Sequence, residues 1–182
     1  IADRLAAELE PWTVADGCAT RAAKCFVYDD RLHLVVGKEV GFGAEDGNDH
    51  HFHYGYFLAA AGALAAARPD LVDELRPVMN ALAADVAGGS GDALTALRVF
   101  DPYRGHSWAA GLVPFADGNN QESSSEAVAA WNGLALWAEA SGEDELLRRA
   151  AWLLSNEAAA ARTLWLEPTA LPAGYAHTIV SI

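Results

Sequence analysis

Three stretches of this 182-residue chain collect the side chains capable of chemistry. The first is Asn48-Asp49-His50-His51-Phe52-His53-Tyr54-Gly55-Tyr56, which packs an acid, three imidazoles and three aromatic rings into nine positions. Asp49 stands where a helix should begin, so it is either a cap for exposed backbone N–H groups or a working carboxyl. His50, His51 and His53 raise a metal reading, but their i, i+1, i+3 spacing is not the i, i+4 pair of an HExxH zinc helix. The second stretch is Asn119-Asn120-Gln121-Glu122-Ser123-Ser124-Ser125-Glu126. A helix would stack Glu122 and Glu126 on one face, a like-charge repulsion that no stability argument explains. Asn119 with Glu122, or Ser123 with Glu126, fits a capping box, which accounts for one glutamate but not both. Paired carboxyls facing a cleft suit glycoside hydrolysis: one is protonated to assist the leaving oxygen, the other ionised to activate water. A di-metal carboxylate site would call for Glu-x-x-His, which is missing. The third stretch, Asp101-Pro102-Tyr103-Arg104-Gly105-His106-Ser107-Trp108, alternates polar and aromatic residues around a turn. Rings of that kind stack on sugar faces while side chains bond hydroxyls; the plain alternative makes Trp108 core and Arg104 a surface partner of an acid. There is no G-x-S-x-G elbow, G-x-G-x-x-G or phosphate loop.

The elements that must hold these residues are helices. Apolar spacing predicts them over 1–10, 52–67, 70–87, 123–140 and 143–164. Tyr54, Phe57, Leu58, Ala61, Leu64 and Ala65 form the stripe of one. Ala127, Ala130, Trp131, Leu134 and Trp137/Ala138 form that of another, and Leu146, Ala150, Leu153 and Leu154 that of the last. Pro69 suits a first turn, Pro77 predicts a kink or break, and Gly88-Gly89-Ser90-Gly91 and Ser141-Gly142 are stops. Residues 26–41 read as a short strand pair inside an irregular stretch, 11–51; a second irregular stretch covers 98–122. Without β-α alternation the fold class is all-α, built from antiparallel helical hairpins. The chemistry-bearing residues fall in the irregular stretches and helix starts, which one end of the scaffold would gather. No repeat at solenoid periods stands out.

Composition narrows the partners. Hydrophobic residues make up 52% and charged residues 20%, a folded rather than disordered balance. With 12 basic and 25 acidic residues the formal net charge is −13, which repels phosphate backbones and makes nucleic acid a poor partner. The apolar runs are too short for a bilayer span of about 20 residues, so no membrane partner is expected. The start, Ile1-Ala2-Asp3, has neither an initiator Met nor a basic leader, and the expectation is a piece of a longer chain. Cys18 and Cys25 either close a small loop or stay free, and no CxxC pair exists.

The blocks NDHHFHYGYF, DPYRGHSWAAGL and DGNNQESSSEAVAAW, in this order and at this separation, resemble glycoside hydrolase family 81, the endo-β-1,3-glucanases or laminarinases. The likeness spans about residues 37–137 and continues weakly in GYAHTIV near the end. It implies that residues 1–182 are part of a C-terminal (α/α)6 barrel-like domain, which in the family follows a β-sandwich and a linking domain. It also implies Asp49 as general acid, Glu122 as general base and Glu126 as its helper. Inversion at the anomeric carbon follows, with no metal and no cofactor. His53, one turn beyond Asp49, is the expected substrate contact, with Tyr54, Asp101, His106, Trp108 and Asn120 beside it. The implied partner is a laminarin-type β-1,3-glucan and the implied location extracellular. Two rival expectations stand: a β-glucan-binding module without catalysis, and a metal-dependent helical enzyme using His50, His51 and His53. Three carboxyls set among the aromatics favour the enzyme, because a binding module has little use for them.

Overall fold

Helices bearing a small residue at every third or fourth position can lie with their backbones almost touching, and the core is built on that principle. The computed structural model describes residues 1–88, 94–112, 116, 118–177 and 180. Its longer helices are α1 (Ala2–Thr13), α3 (His50–Ala67), α4 (Val72–Ala87), α5 (Ser124–Ser141) and α6 (Asp144–Ala161); α2 (Gly17–Thr20) is one turn. Gly55 and Gly62 of α3 meet α5 so closely that a Cβ on Gly55 would lie 2.5 Å from the Ala130 Cα, and one on Gly62 2.6 Å from the Leu136 carbonyl carbon. A Cβ on Gly133 of α5 would sit 2.5 Å from the Gly55 carbonyl oxygen. The partner positions advance together along both helices, so α3 and α5 run parallel and their N-termini lie side by side.

Each of these two helices is backed by an antiparallel neighbour. Arg68 and the 3-10 turn Pro69–Leu71 lead from α3 into α4, and His50 at the start of α3 meets Asp85 near the end of α4 at 2.6 Å. Gly142, left-handed at φ 74°, ends α5 and turns the chain into α6, where Glu157 accepts a hydrogen bond from Trp131 Nε1 at 3.1 Å. The hairpins are tied to each other by Trp137 Nε1 donating to Asn80 Oδ1 at 2.9 Å and Asn80 Nδ2 donating to Glu143 at 2.6 Å. Trp131, Trp137, Leu58, Leu64, Met79, Leu82, Leu134 and Leu153 are fully buried between the helices. Each contributes about 1.5–3 kcal/mol by leaving water.

The expected all-α hairpins are present, with differences at the prolines and loops. Pro77 does not break α4, which runs as one helix from Val72 to Ala87, and Asp73, whose carbonyl loses its helical partner to the proline, is an exposed residue. Helix α1 likewise runs through Pro11 to Thr13. The expected strand pair is β1 (Phe26–Asp29) against β2 (Leu34–Gly37), antiparallel with Phe26 opposite Gly37. A second hairpin, β3 (Phe100–Asp101) against β4 (His106–Ser107), lies in the stretch expected to be irregular. Cys18 and Cys25 form a disulfide that closes the loop holding α2. Gly89, Ser90 and Gly91, expected to stop α4, and Thr178 and Ile179 of the weak terminal block lie outside the described residues. Among the described residues, no helix is long and apolar enough to cross a membrane.

Candidate active site

Parallel α3 and α5 present their starts at one end of the molecule, and the three motif blocks meet there. The joining is done by backbone. The Asp49 N–H donates to the Ala109 carbonyl at 3.0 Å, and the Ala109 N–H donates to the Asn120 carbonyl at 2.9 Å. The loop after Ala109 lies against the turn before Asp49, with the Leu112 N–H donating to the Asp46 carbonyl at 2.7 Å. Gly111 permits that approach, because a Cβ there would fall 2.1 Å from the Asp46 oxygen.

Asp49 occupies the N-cap position of α3 but does not cap it. Its backbone is left-handed, φ 57°, and its side chain accepts no hydrogen bond from the helix. The residue is 5% exposed, and its Oδ1 is buried and unpartnered. Burial foremost, and then the charges of Glu122 and Glu126, push its pKa up from 3.8 to about 6. A carboxyl in that setting holds its proton in mildly acidic solution and can donate it.

Glu122 is exposed and also left-handed, φ 59°. Asp49 and Glu122 are two of the seven non-glycine residues with such a backbone among those described. Strain of this kind costs about 1–3 kcal/mol and persists where neighbours over-determine it. Ser123 caps α5, its Oγ accepting the Glu126 N–H at 3.3 Å. The Glu126 carboxylate accepts the hydroxyl of Tyr56 on α3, and that bond foremost raises the tyrosine pKa above its usual value. Half of the expected capping box therefore forms, while the carboxylate stays at the shared mouth of the two helices.

The remaining expected residues divide between the mouth and its supports. His53 is half-buried beside Phe42, with ring centroids 6.0 Å apart. Burial foremost lowers its pKa, against the pull of Glu126 and Glu122. With Trp12, Phe26, Phe42, Tyr54 and Phe57 it lines a cavity of about 210 Å³. Tyr54 itself is buried and its hydroxyl donates to the Val35 carbonyl. Asp101 organises the β3–β4 turn: its Oδ1 accepts the Tyr103 and Arg104 N–H groups at 2.9 and 3.1 Å, and its Oδ2 accepts Trp108 Nε1 at 3.2 Å. His106 is buried against Trp108, edge to face, with Nδ1 on the Ser107 carbonyl at 2.8 Å. Trp108 is partly exposed and Asn120 exposed.

The three imidazoles of the first block face three different surroundings. His50 is enclosed by Asp85 and the Ala44 carbonyl, at 2.6 and 2.7 Å. His51 is buried against Trp131 and Phe52, with a pKa lowered to about 3, chiefly by burial. Among the described residues, no three His, Cys, Asp or Glu side chains group as a metal site would require.

Two buried carboxylates were not foreseen. Asp85 accepts the Val35 N–H at 2.8 Å and Arg98 Nη2 at 2.5 Å, and Arg98 in turn holds the Gly47 carbonyl at 3.1 Å. Glu157 accepts from Ser107 N–H and Oγ–H at 2.8 and 2.5 Å, from Trp131 Nε1 at 3.1 Å and from Gln121 Nε2 at 3.4 Å. The signal was available: Glu157 falls on the helical stripe of Ala150, Leu153 and Ala161, and Asp85 follows Leu82 by three, so each acid sits on a core-facing row. Tyr56 was readable too, two turns beyond Asp49 on the same face.

A helical-hairpin domain that gathers carboxyls where parallel helices begin has the layout of a helical glycoside hydrolase domain. Residues 2–171 match the model of the glycosyl hydrolase family 81 C-terminal domain, and the chain belongs to that family. It is 42% identical over 164 residues to a glucan endo-1,3-beta-D-glucosidase of Acetivibrio thermocellus, covering 87% of this chain and 21% of the relative. A protein of the same name from Thermobifida fusca is 38% identical, over 99% of this chain and 24% of the relative. A solved structure of a glycoside hydrolase family 81 protein from Clostridium thermocellum superposes with a TM-score of 0.88 at 37% identity, over 97% of this chain and 25% of that one. The chain thus spans between about a fifth and a quarter of the length of these three proteins.

Proposed function

We propose that this domain carries the acid–base machinery of an enzyme that hydrolyses internal β-1,3-glucosidic bonds with inversion. The observation that carries the reading is the buried Asp49 carboxyl, unpartnered at Oδ1 and within electrostatic reach of Glu122 and Glu126. Asp49 donates its proton to the glycosidic oxygen as the bond to C1 breaks. Glu122 removes a proton from a water that attacks C1 from the opposite face, so the product has the inverted configuration. Glu126, held by Tyr56, keeps its negative charge close to Asp49 and so helps Asp49 retain its proton until it is used. His53, Trp108 and Asn120 contact the glucan around the mouth, and Tyr54, Asp101 and His106 act on it through the cavity wall and the β3–β4 turn.

Parallel α3 and α5, each backed by an antiparallel helix, support a wider architecture in which these hairpins are two of the six in an (α/α)6 barrel. A β-sandwich and a linking domain complete the protein in this reading. The Cys18–Cys25 disulfide supports an extracellular location, where such bonds persist. No nucleic acid or membrane partner enters the scheme.

The test compares substrates in the protein expressed from its complete gene. Asp49→Asn lowers kcat by about 10²-fold or more on natural glucan, and far less on a glucoside with an activated aryl leaving group. Glu122→Gln loses about 10²-fold or more on both, because water must be activated whatever leaves. Should Glu126→Gln be inactive while Glu122→Gln keeps substantial activity, the base is Glu126 and the assignment is overturned.

A further inference from the structure

We infer that Glu157 is the positioning residue for Glu122 and for the Trp108 hairpin. The inference rests on the reading of Glu122 as the base. Glu157 lies on α6, is fully buried, and receives four hydrogen bonds from three segments of chain. Among the described residues no cation pairs with it, so the carboxylate acts here as a pure acceptor for polar donors. Trp131 Nε1 fixes it to the middle of α5. Both bonds from Ser107 fix it to β4, immediately before Trp108.

The bond from Gln121 reaches the chemistry. Gln121 is buried with both ends of its amide engaged: Nε2 donates to Glu157, and Oε1 accepts Trp165 Nε1 at 3.0 Å. The next residue is Glu122, exposed and left-handed, followed at once by Ser123, the cap of α5. An exposed glutamate with that backbone has no side-chain packing of its own to keep it there. Its direction is set by the clamps on either side, the Ser123 cap and the Gln121 amide, and the Gln121 clamp ends on Glu157. An uncharged replacement of the same shape does not serve. A carboxamide has one acceptor oxygen, and its NH2 would face one of the incoming donors.

The prediction is read in the complete protein with a soluble β-1,3-glucan. Gln121→Ala cuts the last link and leaves the bonds of Glu157 to Ser107 and Trp131. It lowers kcat by about tenfold or more while KM stays within about twofold, as a displaced catalytic group requires. Glu157→Gln lowers kcat at least as far, and because Trp108, a glucan contact, is released as well, it also raises KM. Both are then placed in the Glu122→Gln background. A residue that acts through Glu122 has nothing left to position there, so Gln121→Ala costs less than about twofold more. A residue that merely stabilises the fold subtracts the same factor in both backgrounds. Equal losses in both backgrounds, or an unchanged kcat in Gln121→Ala, overturn the inference. If Glu122→Gln alone retains wild-type kcat, the base assignment itself has failed and the positioning role falls with it, a result visible without any Gln121 or Glu157 variant.

Discussion

Replacing Glu126 by glutamine removes one of the two negative charges that help Asp49 keep its proton. The rise from 3.8 to about 6 amounts to about 3 kcal/mol of preference for the protonated form. Three causes raise it: burial is the largest, Glu122 the second and Glu126 the third. The smallest of three contributions supplies no more than a third of the whole, so Glu126→Gln lowers the pKa by at most about 0.7. Burial supplies at least a third, so the pKa stays above the ordinary aspartate value in the variant. Glu122 is open to solvent, which screens the cluster and makes the upper bound generous.

The assay is kcat/KM for β-1,3-glucan from pH 4 to 8, which reports the ionisations of the free enzyme. In the wild type the alkaline limb marks loss of the Asp49 proton and sits near pH 6. In Glu126→Gln the limb moves toward acid by a few tenths, whatever the height of the profile. Raising the salt concentration moves the wild-type limb the same way, and moves that of the variant less. A limb that stays in place, or shifts toward alkali, would refute both the assignment of the limb to Asp49 and the coupling between the two carboxyls.

The same proton governs stability, with a sign opposite to that of a salt-bridged carboxylate. Between about pH 4 and 6 Asp49 is ionised in the unfolded chain and protonated in the folded one, so wild-type stability falls as pH rises through that window, by at most about 3 kcal/mol before screening. Asp49→Asn removes this loss; thermal midpoints of the variant should gain on the wild type from pH 4 to 7, and parallel curves would count against the buried-acid reading. Gly133→Ala drives a Cβ to 2.5 Å from the Gly55 oxygen, and denaturant titration should show a loss of about 1–3 kcal/mol as α3 and α5 are pushed apart. Activity on laminarin should survive a strong chelator, since neither carboxyl role needs a cation; loss on chelation, restored by a transition metal, would revive the histidine-ligand reading.

How far the molecule could be read from its sequence depended on how local each signal was. The helix of Tyr54, Leu58, Ala61 and Leu64 announced itself because burial recurs along one face, and Ser123 announced the start of α5 by its capping chemistry. The closeness of α3 and α5 did not, because Gly55 and Gly62 look like weak points in a helix until the facing Ala130 and Gly133 are known. Tyr54 and Tyr56 are two residues apart and similar in type, yet one is a core anchor bonded to Val35 and the other meets Glu126 at the mouth. Helix phase puts Tyr56 on the face of Asp49, but only the facing helix shows that Glu126 is its partner. Asp101 was legible as part of a polar turn, but its engagement with Tyr103, Arg104 and Trp108 depends on a hairpin of two-residue strands that leaves almost no pattern.

The least legible feature is a repetition that resides in geometry rather than in residue identity. His50, next to Asp49, meets Asp85 across 35 residues; Gln121, next to Glu122, meets Glu157 across 36. In both hairpins the first helix begins beside a left-handed acid, and the second returns antiparallel. Its last turns therefore lie against that beginning and bring a buried carboxylate to it. The donors differ: an imidazole, an arginine and a backbone N–H around Asp85; a serine, an indole and an amide around Glu157. A search for matching residues finds nothing to align, since what recurs is an acceptor at a fixed distance along a hairpin. The physical demand behind the recurrence is the same in both places. An acid held in a left-handed backbone at a helix start stays in place only if the residues beside it are held from behind, and the returning helix is the nearest element that can hold them.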